Sequence, residues 1–173
     1  MVQGAMVGGI ASSAMVVRMG RAGLLGFWGS GGLPMEAAER ALTEIKGALA
    51  QGEPWGMNLL HNMYHPELED ATVDLYLQHG VRTIEAAAYM SLTPAVVRFR
   101  AKGLRRGADG RIVRPQAVFA KLSRLEVASQ FMAPPHEKIL SRLLSEGKLT
   151  ALEADLARHI PVAEDITVEA DSS

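Results

Sequence analysis

Polar side chains recur at the ends of short apolar runs. Gln3 stands in "VQGAM", Asn58 in "PWGMNLL", Glu85 in "VRTIEAAA", Lys121 in "QAVFAKLS" and Glu169 in "EDITVEA". An amide both donates and accepts, so Asn58 suits the alternating edge of a heteroaromatic ring or a phosphate ester; capping the next loop is the plainer alternative. A carboxylate in apolar surroundings needs a partner. Lys121 is the expected partner of Glu85, as a structural ion pair or as a stabiliser of negative charge developing on a substrate. Glu169 and Asp171 offer acceptors beyond the last run, or form a solvated strand end. His61 and His65 have the spacing of helical metal ligands, but they fall in the loop "HNMYHP" without a third ligand, so no metal is expected. His61 lies just beyond Asn58, where it could line a substrate mouth. His79, His136 and His159 are expected where helices end, against the negative end of the dipole.

The elements that would position these residues alternate between strand and helix. "SSAMVVRMGRAG" reads as a helix, capped by Ser12 or Ser13 and closed by Gly23. The next apolar run, "LLGFWG", ends in the loop "SGGLP". Pro34 opens a second helix whose apolar face is Ala38, Leu42, Ile45 and Leu49. "PELEDATVDLYLQHG" carries acids in its first turn, and "TPAVVRFRAKGL" opens with Thr93 as cap. "RRGADGRIVRP" reads as a polar hairpin or loop. A short helix and a helical pair follow, with a capping box of Thr150 and Glu153. Strand alternating with helix implies parallel βαβ units. "GAMVGG" does not fit the glycine fingerprint of a dinucleotide-binding sheet. Polar residues at successive strand ends converge in a (β/α) barrel, so the expectation is an α/β TIM barrel with about six of its eight strands.

The chain has 173 residues, of which 48% are hydrophobic and 21% charged, with a net charge of −1 and no cysteine. That is a one-domain length without disulfides or thiolate chemistry. The charge balance gives no reason to expect nucleic acid or an anionic membrane as partner. The apolar N-terminus lacks a basic leader, and Gln3, Ser12 and Ser13 interrupt it before Arg18 and Arg21. It reads as a buried strand and loop of a cytoplasmic protein.

The segments "QGAMVGGIAS", "AGLLGFWGSGGLP", "WGMNLLHN", "RTIEAAAYMSLTPAVVRFRAKGL", "VFAKLSRLEVASQFM" and "DITVEADS" resemble the trans-acting enoyl reductases of polyketide and polyunsaturated fatty acid synthases. That family belongs to the nitronate monooxygenase-like flavin enzymes. The resemblance implies a TIM barrel holding FMN at its C-terminal mouth, with NAD(P)H as hydride donor and an enoyl thioester on acyl carrier protein as substrate. It implies that the backbone of Ala5, Met6 and Val7 lies along the flavin ring, with Gly8 permitting close approach. It also implies a flavin contact by Asn58; from their places at the strand ends, Glu85, Lys121 and Glu169 are further candidates for flavin contact, and Lys121 and His61 for catalytic roles. The basic run Arg98, Arg100, Lys102, Arg105 and Arg106 is a solvated helix face, or a docking surface for the acidic carrier protein.

In the family the "VEADS" tip continues into a Gly-Gly-His loop and phosphate-binding loops. Residues 1–173 are therefore expected to be the N-terminal portion of a single FMN-binding barrel domain. Its open edges would be met by a further copy or a complementary C-terminal chain. Two rivals fit the same residues: a nitronate monooxygenase-like flavin oxidase, and a non-catalytic half-barrel needing a partner chain.

Overall fold

The computed structural model describes residues 1–169. The chain divides into two compact units, Met1–Glu85 and the residues from Ala86 onward.

The first unit holds strands β1 (Val2–Gln3), β2 (Leu25–Trp28), β3 (Gly56–Leu60) and β4 (Thr83–Ala87), which are neighbours in that order; β4 carries the boundary between the units. Pairing is parallel from β1 to β2 and from β2 to β3, with Val2 opposite Leu25 and Phe27 opposite Gly56. Helices α1 (Ser13–Arg21), α2 (Met35–Ala48) and α3 (Pro66–Gln78) make the crossovers that parallel strands require. Ser12 caps α1 by accepting from the Met15 N–H at 3.3 Å. The expected α2 face is the buried one: Ala38, Leu42, Ile45 and Leu49 are all at most 5% exposed. They join Val16, Phe27, Met57, Leu59, Val73 and Ile84 among the buried apolar side chains. The first strand is shorter than "VQGAM" suggested. After Gln3 the backbone leaves the ladder and makes a 3-10 turn at Val7–Gly9, with Gly8 at φ 68°.

The second unit contains α4 (Pro94–Ala101), the antiparallel hairpin β5 (Arg105–Arg106) and β6 (Ile112–Val113), β7 (Ala117–Leu122), α5 (Leu125–Phe131), α6 (Glu137–Ser145), α7 (Ala151–Ala157) and β8 (Asp165–Val168). β7 and β8 pair in parallel, with Lys121 opposite Thr167. α4 packs against α6 and α7, and Val96, Phe99, Val118, Phe131, Leu140, Leu143 and Leu156 are buried. The capping box of α7 forms as expected: Thr150 accepts from Glu153 N–H, and Glu153 accepts from Thr150 N–H at 2.8 Å. Tyr89 is buried and packs edge-on against Phe131, with ring centroids 5.4 Å apart.

Two expectations fail here. The basic run is no solvated face, because Arg98 is 7% and Arg100 2% exposed. Arg100 donates to Gln116 O at 2.6 Å and Pro161 O at 3.2 Å, and pairs with Glu164 at 2.8 Å. It ties α4 to the segments that enter β7 and β8. Burial pulls its pKa down, and the Glu164 carboxylate opposes that pull. As a carrier-protein surface the run therefore loses both arginines of α4, while Arg105 and Arg106 remain exposed on β5. His136 also stands at the N-terminal cap of α6, the positive end of that helix rather than the negative one. His79 does cap the C-terminus of α3. No helix among the described residues is long and apolar enough to cross a membrane.

Candidate active site

In the first unit the C-terminal ends of the four strands meet in one hydrogen-bonded cluster. The Glu85 carboxylate is 1% exposed and accepts from the Ala5 N–H at 2.9 Å. That bond fixes the point where β1 gives way to the turn. The Asn58 side-chain amide donates to the Glu85 carbonyl at 3.0 Å, and its oxygen accepts from the Ser30 hydroxyl at 3.0 Å. Tyr76, reaching in from α3, donates to the Asn58 carbonyl at 2.6 Å. Its burial pushes the phenol far above the ordinary tyrosine range, so it stays a donor. Asn58 is 3% exposed, and its amide joins the ends of β2 and β4 rather than capping the next loop.

The residues after β1 lie directly over the loop that leaves β2. A Cβ on Gly29 would collide with the Met6 carbonyl oxygen and stand 2.8 Å from Met6 C and 3.0 Å from Met6 N. Only glycine admits so close an approach of two backbones. Gly8 N–H donates to Gly31 O at 2.8 Å, and Gly29 N–H donates to Ala11 O at 3.0 Å. Ala5 is buried in this arrangement, while Met6 and Val7 are 39% and 67% exposed. The result is a rigid exposed turn whose backbone is held from behind. Such a turn suits the edge of a planar ring that needs donors and acceptors at close range.

Beside the cluster a cleft of about 320 Å³ opens, lined by Trp28, Ser30, Leu33, Leu60, Glu69 and Tyr76 among others. His61 follows β3 directly, and its Nδ1 lies 2.9 Å from Glu69 Oε2. His65 pairs with Glu67 at 3.0 Å on the surface.

In the second unit Lys121 is the penultimate residue of β7 and half-buried. Glu169 follows β8; it is exposed and its N–H donates to Leu122 O at 3.0 Å. Both stand at the C-terminal ends of their strands, as the sequence suggested. Asp171 lies outside the described residues. Sequence reasoning did not find Gly29, Ser30, Tyr76 or Glu69. The run "GSGG" was the one available signal, since clustered glycines after a strand mark close backbone approach.

No family model matches the chain. It is 48% identical over 169 residues to the polyketide biosynthesis protein PksE of Bacillus subtilis, covering 98% of this chain and 22% of that protein. It is 50% identical to the polyketide biosynthesis protein ThaF of Burkholderia thailandensis, covering 99% of this chain and 14% of that one. It is 47% identical to part of a polyunsaturated fatty acid synthase from Thraustochytrium, covering 98% of this chain and 11% of that polypeptide. The chain thus spans less than a quarter of these relatives. Among solved structures, the enoyl reductase domain of MlnA from the Bacillus amyloliquefaciens macrolactin cluster matches with TM-score 0.95 and 41% identity, over 98% of this chain and 39% of that one. A mutant of FabK from Thermotoga maritima matches with TM-score 0.56 at 12% identity, over 96% of this chain and 60% of that one, a likeness of fold alone. These matches bear out the α/β reading of barrel type, with six strands alternating with helices. In sequence and in fold, the chain is similar to one part of these polyketide and polyunsaturated fatty acid synthase proteins and of the MlnA enoyl reductase domain.

Proposed function

We propose that this chain forms part of an FMN-dependent enoyl-thioester reductase that acts in trans on acyl carrier protein-bound intermediates of polyketide or polyunsaturated fatty acid synthesis, with NAD(P)H as hydride donor. One observation carries the reading: a glycine-seated turn braced by Glu85 stands at the strand ends of a chain that matches an enoyl reductase domain over 98% of its length. Residues 1–173 are read as the N-terminal portion of a single FMN-binding barrel domain of a cytoplasmic protein; the stretch shared with the MlnA enoyl reductase domain is 39% of that chain.

The residues present fit the ring of the cofactor. Backbone groups of Ala5, Met6 and Val7 would line its edge, and Gly8 keeps side-chain bulk away from it. When bound, FMN relays hydride from NAD(P)H to the β-carbon of the enoyl group, chemistry that belongs to the cofactor. Asn58 and Glu85 would hold the strand ends in place behind the turn. Lys121 would stabilise negative charge developing on the thioester carbonyl, Glu169 would accept from ribityl hydroxyls, and His61 would line the substrate mouth. Arg105, Arg106 and Lys102 are the basic residues left to face an acidic carrier protein.

The test is NAD(P)H oxidation by the purified chain with FMN and a crotonyl thioester on acyl carrier protein, alone and with the C-terminal part of a relative added. Thioester-dependent oxidation is expected. Oxidation that consumes oxygen and ignores the thioester would mean a flavin oxidase. No flavin binding in either mixture would mean a non-catalytic fragment.

A further inference from the structure

The Glu69 carboxylate is the most deeply buried acid of the first unit outside the Glu85 cluster, with 1% of its side chain exposed. It stands at the fourth residue of α3, where the helix N-terminus favours negative charge. It also lines the cleft beside Trp28, Ser30 and Tyr76. His61 Nδ1 meets it at 2.9 Å, and the His61 side chain is 17% exposed. A carboxylate can only accept, so the ring nitrogen facing it carries a proton. In a neutral imidazole the proton then sits on Nδ1, and Nε2 is the basic nitrogen.

We propose that Glu69 is a positioning residue for His61: it holds the Nδ1–H in a buried hydrogen bond, so that Nε2 is the nitrogen through which the ring exchanges a proton with a ligand. The inference deepens the reductase reading and rests on it for the identity of that ligand. In enoyl reduction the β-carbon receives hydride from NAD(P)H and the α-carbon then takes a proton. With His61 as donor, the Nε2–H bond of the imidazolium breaks and its electron pair stays on Nε2. The new C–H bond forms at the α-carbon. The ring returns to its neutral Nδ1–H form, still paired with the Glu69 carboxylate.

The test is nitrogen NMR of the whole chain with labelled histidine. His61→Gln identifies the His61 signal among the five histidines by its loss. In the wild-type chain the neutral His61 ring is expected as the Nδ1–H tautomer. Glu69→Gln keeps shape and a hydrogen bond but can donate as well as accept, so it is expected to admit the Nε2–H tautomer. Glu69→Asp is expected to restore Nδ1–H. A wild-type ring protonated on Nε2 overturns the proposal whatever the variants do, as does an unchanged tautomer in a folded Glu69→Gln chain. With flavin and an enoyl thioester, Glu69→Gln is expected to lower kcat about 100-fold with KM unchanged. A chain that shows the tautomer shift yet binds no flavin would sink the reductase reading and leave the positioning of His61 standing.

Discussion

Gly29→Ala perturbs the turn over β2 with a single methyl group. The added Cβ would stand 2.8 Å from the Met6 carbonyl carbon. Carbon atoms pack at about 3.5–4.0 Å, so Met6 must retreat by at least about 0.7 Å. The obstacle is backbone, so no rotamer change relieves it. Moving Met6 strains the Ala5 N–H bond to Glu85 on one side and the Gly8 N–H bond to Gly31 on the other. Overpacking of this kind costs about 1–3 kcal/mol, and a displaced backbone places it toward the upper end. For a chain of this length a loss of about 2 kcal/mol lowers Tm by about 4–8 °C. Gly47→Ala is the control: it lies on the exposed side of α2, and its Cβ would meet nothing within 4 Å. That change is expected to stabilise by about 0.5–1 kcal/mol. Thermal unfolding by circular dichroism reads both variants, and amide shifts of residues 5–8 report the turn directly. A Gly29→Ala chain with Tm within about 1 °C of wild type and unmoved amides at Ala5–Gly8 would refute the claim that the two backbones are pressed together.

Other consequences are equally concrete. Asn58→Ala removes the side-chain donor to the buried Glu85 carbonyl and leaves the Ser30 hydroxyl with the Asn58 backbone carbonyl at 3.2 Å, and is expected to cost about 1–3 kcal/mol in urea unfolding with an unchanged m-value. Glu153→Gln tests an acid-range dependence. Burial pushes the Glu153 carboxyl up, but hydrogen bonds from the Thr150 and Gly103 N–H groups, the Thr150 hydroxyl and the charge of Lys102 outweigh it and hold its pKa below the ordinary value. A depressed folded pKa means that the stabilisation is present above the unfolded carboxylate range and fades as pH falls through the folded value. The stability gap between wild type and Glu153→Gln should therefore be constant near neutrality and shrink below about pH 4.5. A gap that grows on acidification would contradict that assignment.

Local signals were legible because they depend on neighbours in the chain. The α2 stripe, the caps at Ser12, Thr93 and Thr150, and the turn glycine at Gly23 are all short-range patterns. Burial of Arg98 and Arg100 was not legible. A run of basic residues looks solvated until the fold brings Gln116 O, Pro161 O and Glu164 around one guanidinium. The length of β1 was misread for a related reason. Gly4, Ala5 and Met6 have strand-like neighbours, but Gly29 and Glu85 draw them out of the ladder, and those contacts lie 23 and 80 residues away. At the site, Asn58 and Glu85 stood out as polar residues in apolar runs. Their partners did not, because the Ala5 N–H and the Glu85 carbonyl are backbone groups that every sequence contains. Glu69 was hidden among the ordinary first-turn acids of a helix, and only the return of α3 past the end of β3 sets it against His61.

The most direct test of the flavin site is a titration of the isotope-labelled chain with FMN, followed residue by residue in amide correlation spectra. The account predicts saturable shifts concentrated at Ala5, Met6, Val7 and Gly8, weakened in Gly29→Ala and preserved in Gly47→Ala. Saturable shifts confined to residues away from the strand ends, or no shifts at any FMN concentration, would contradict it.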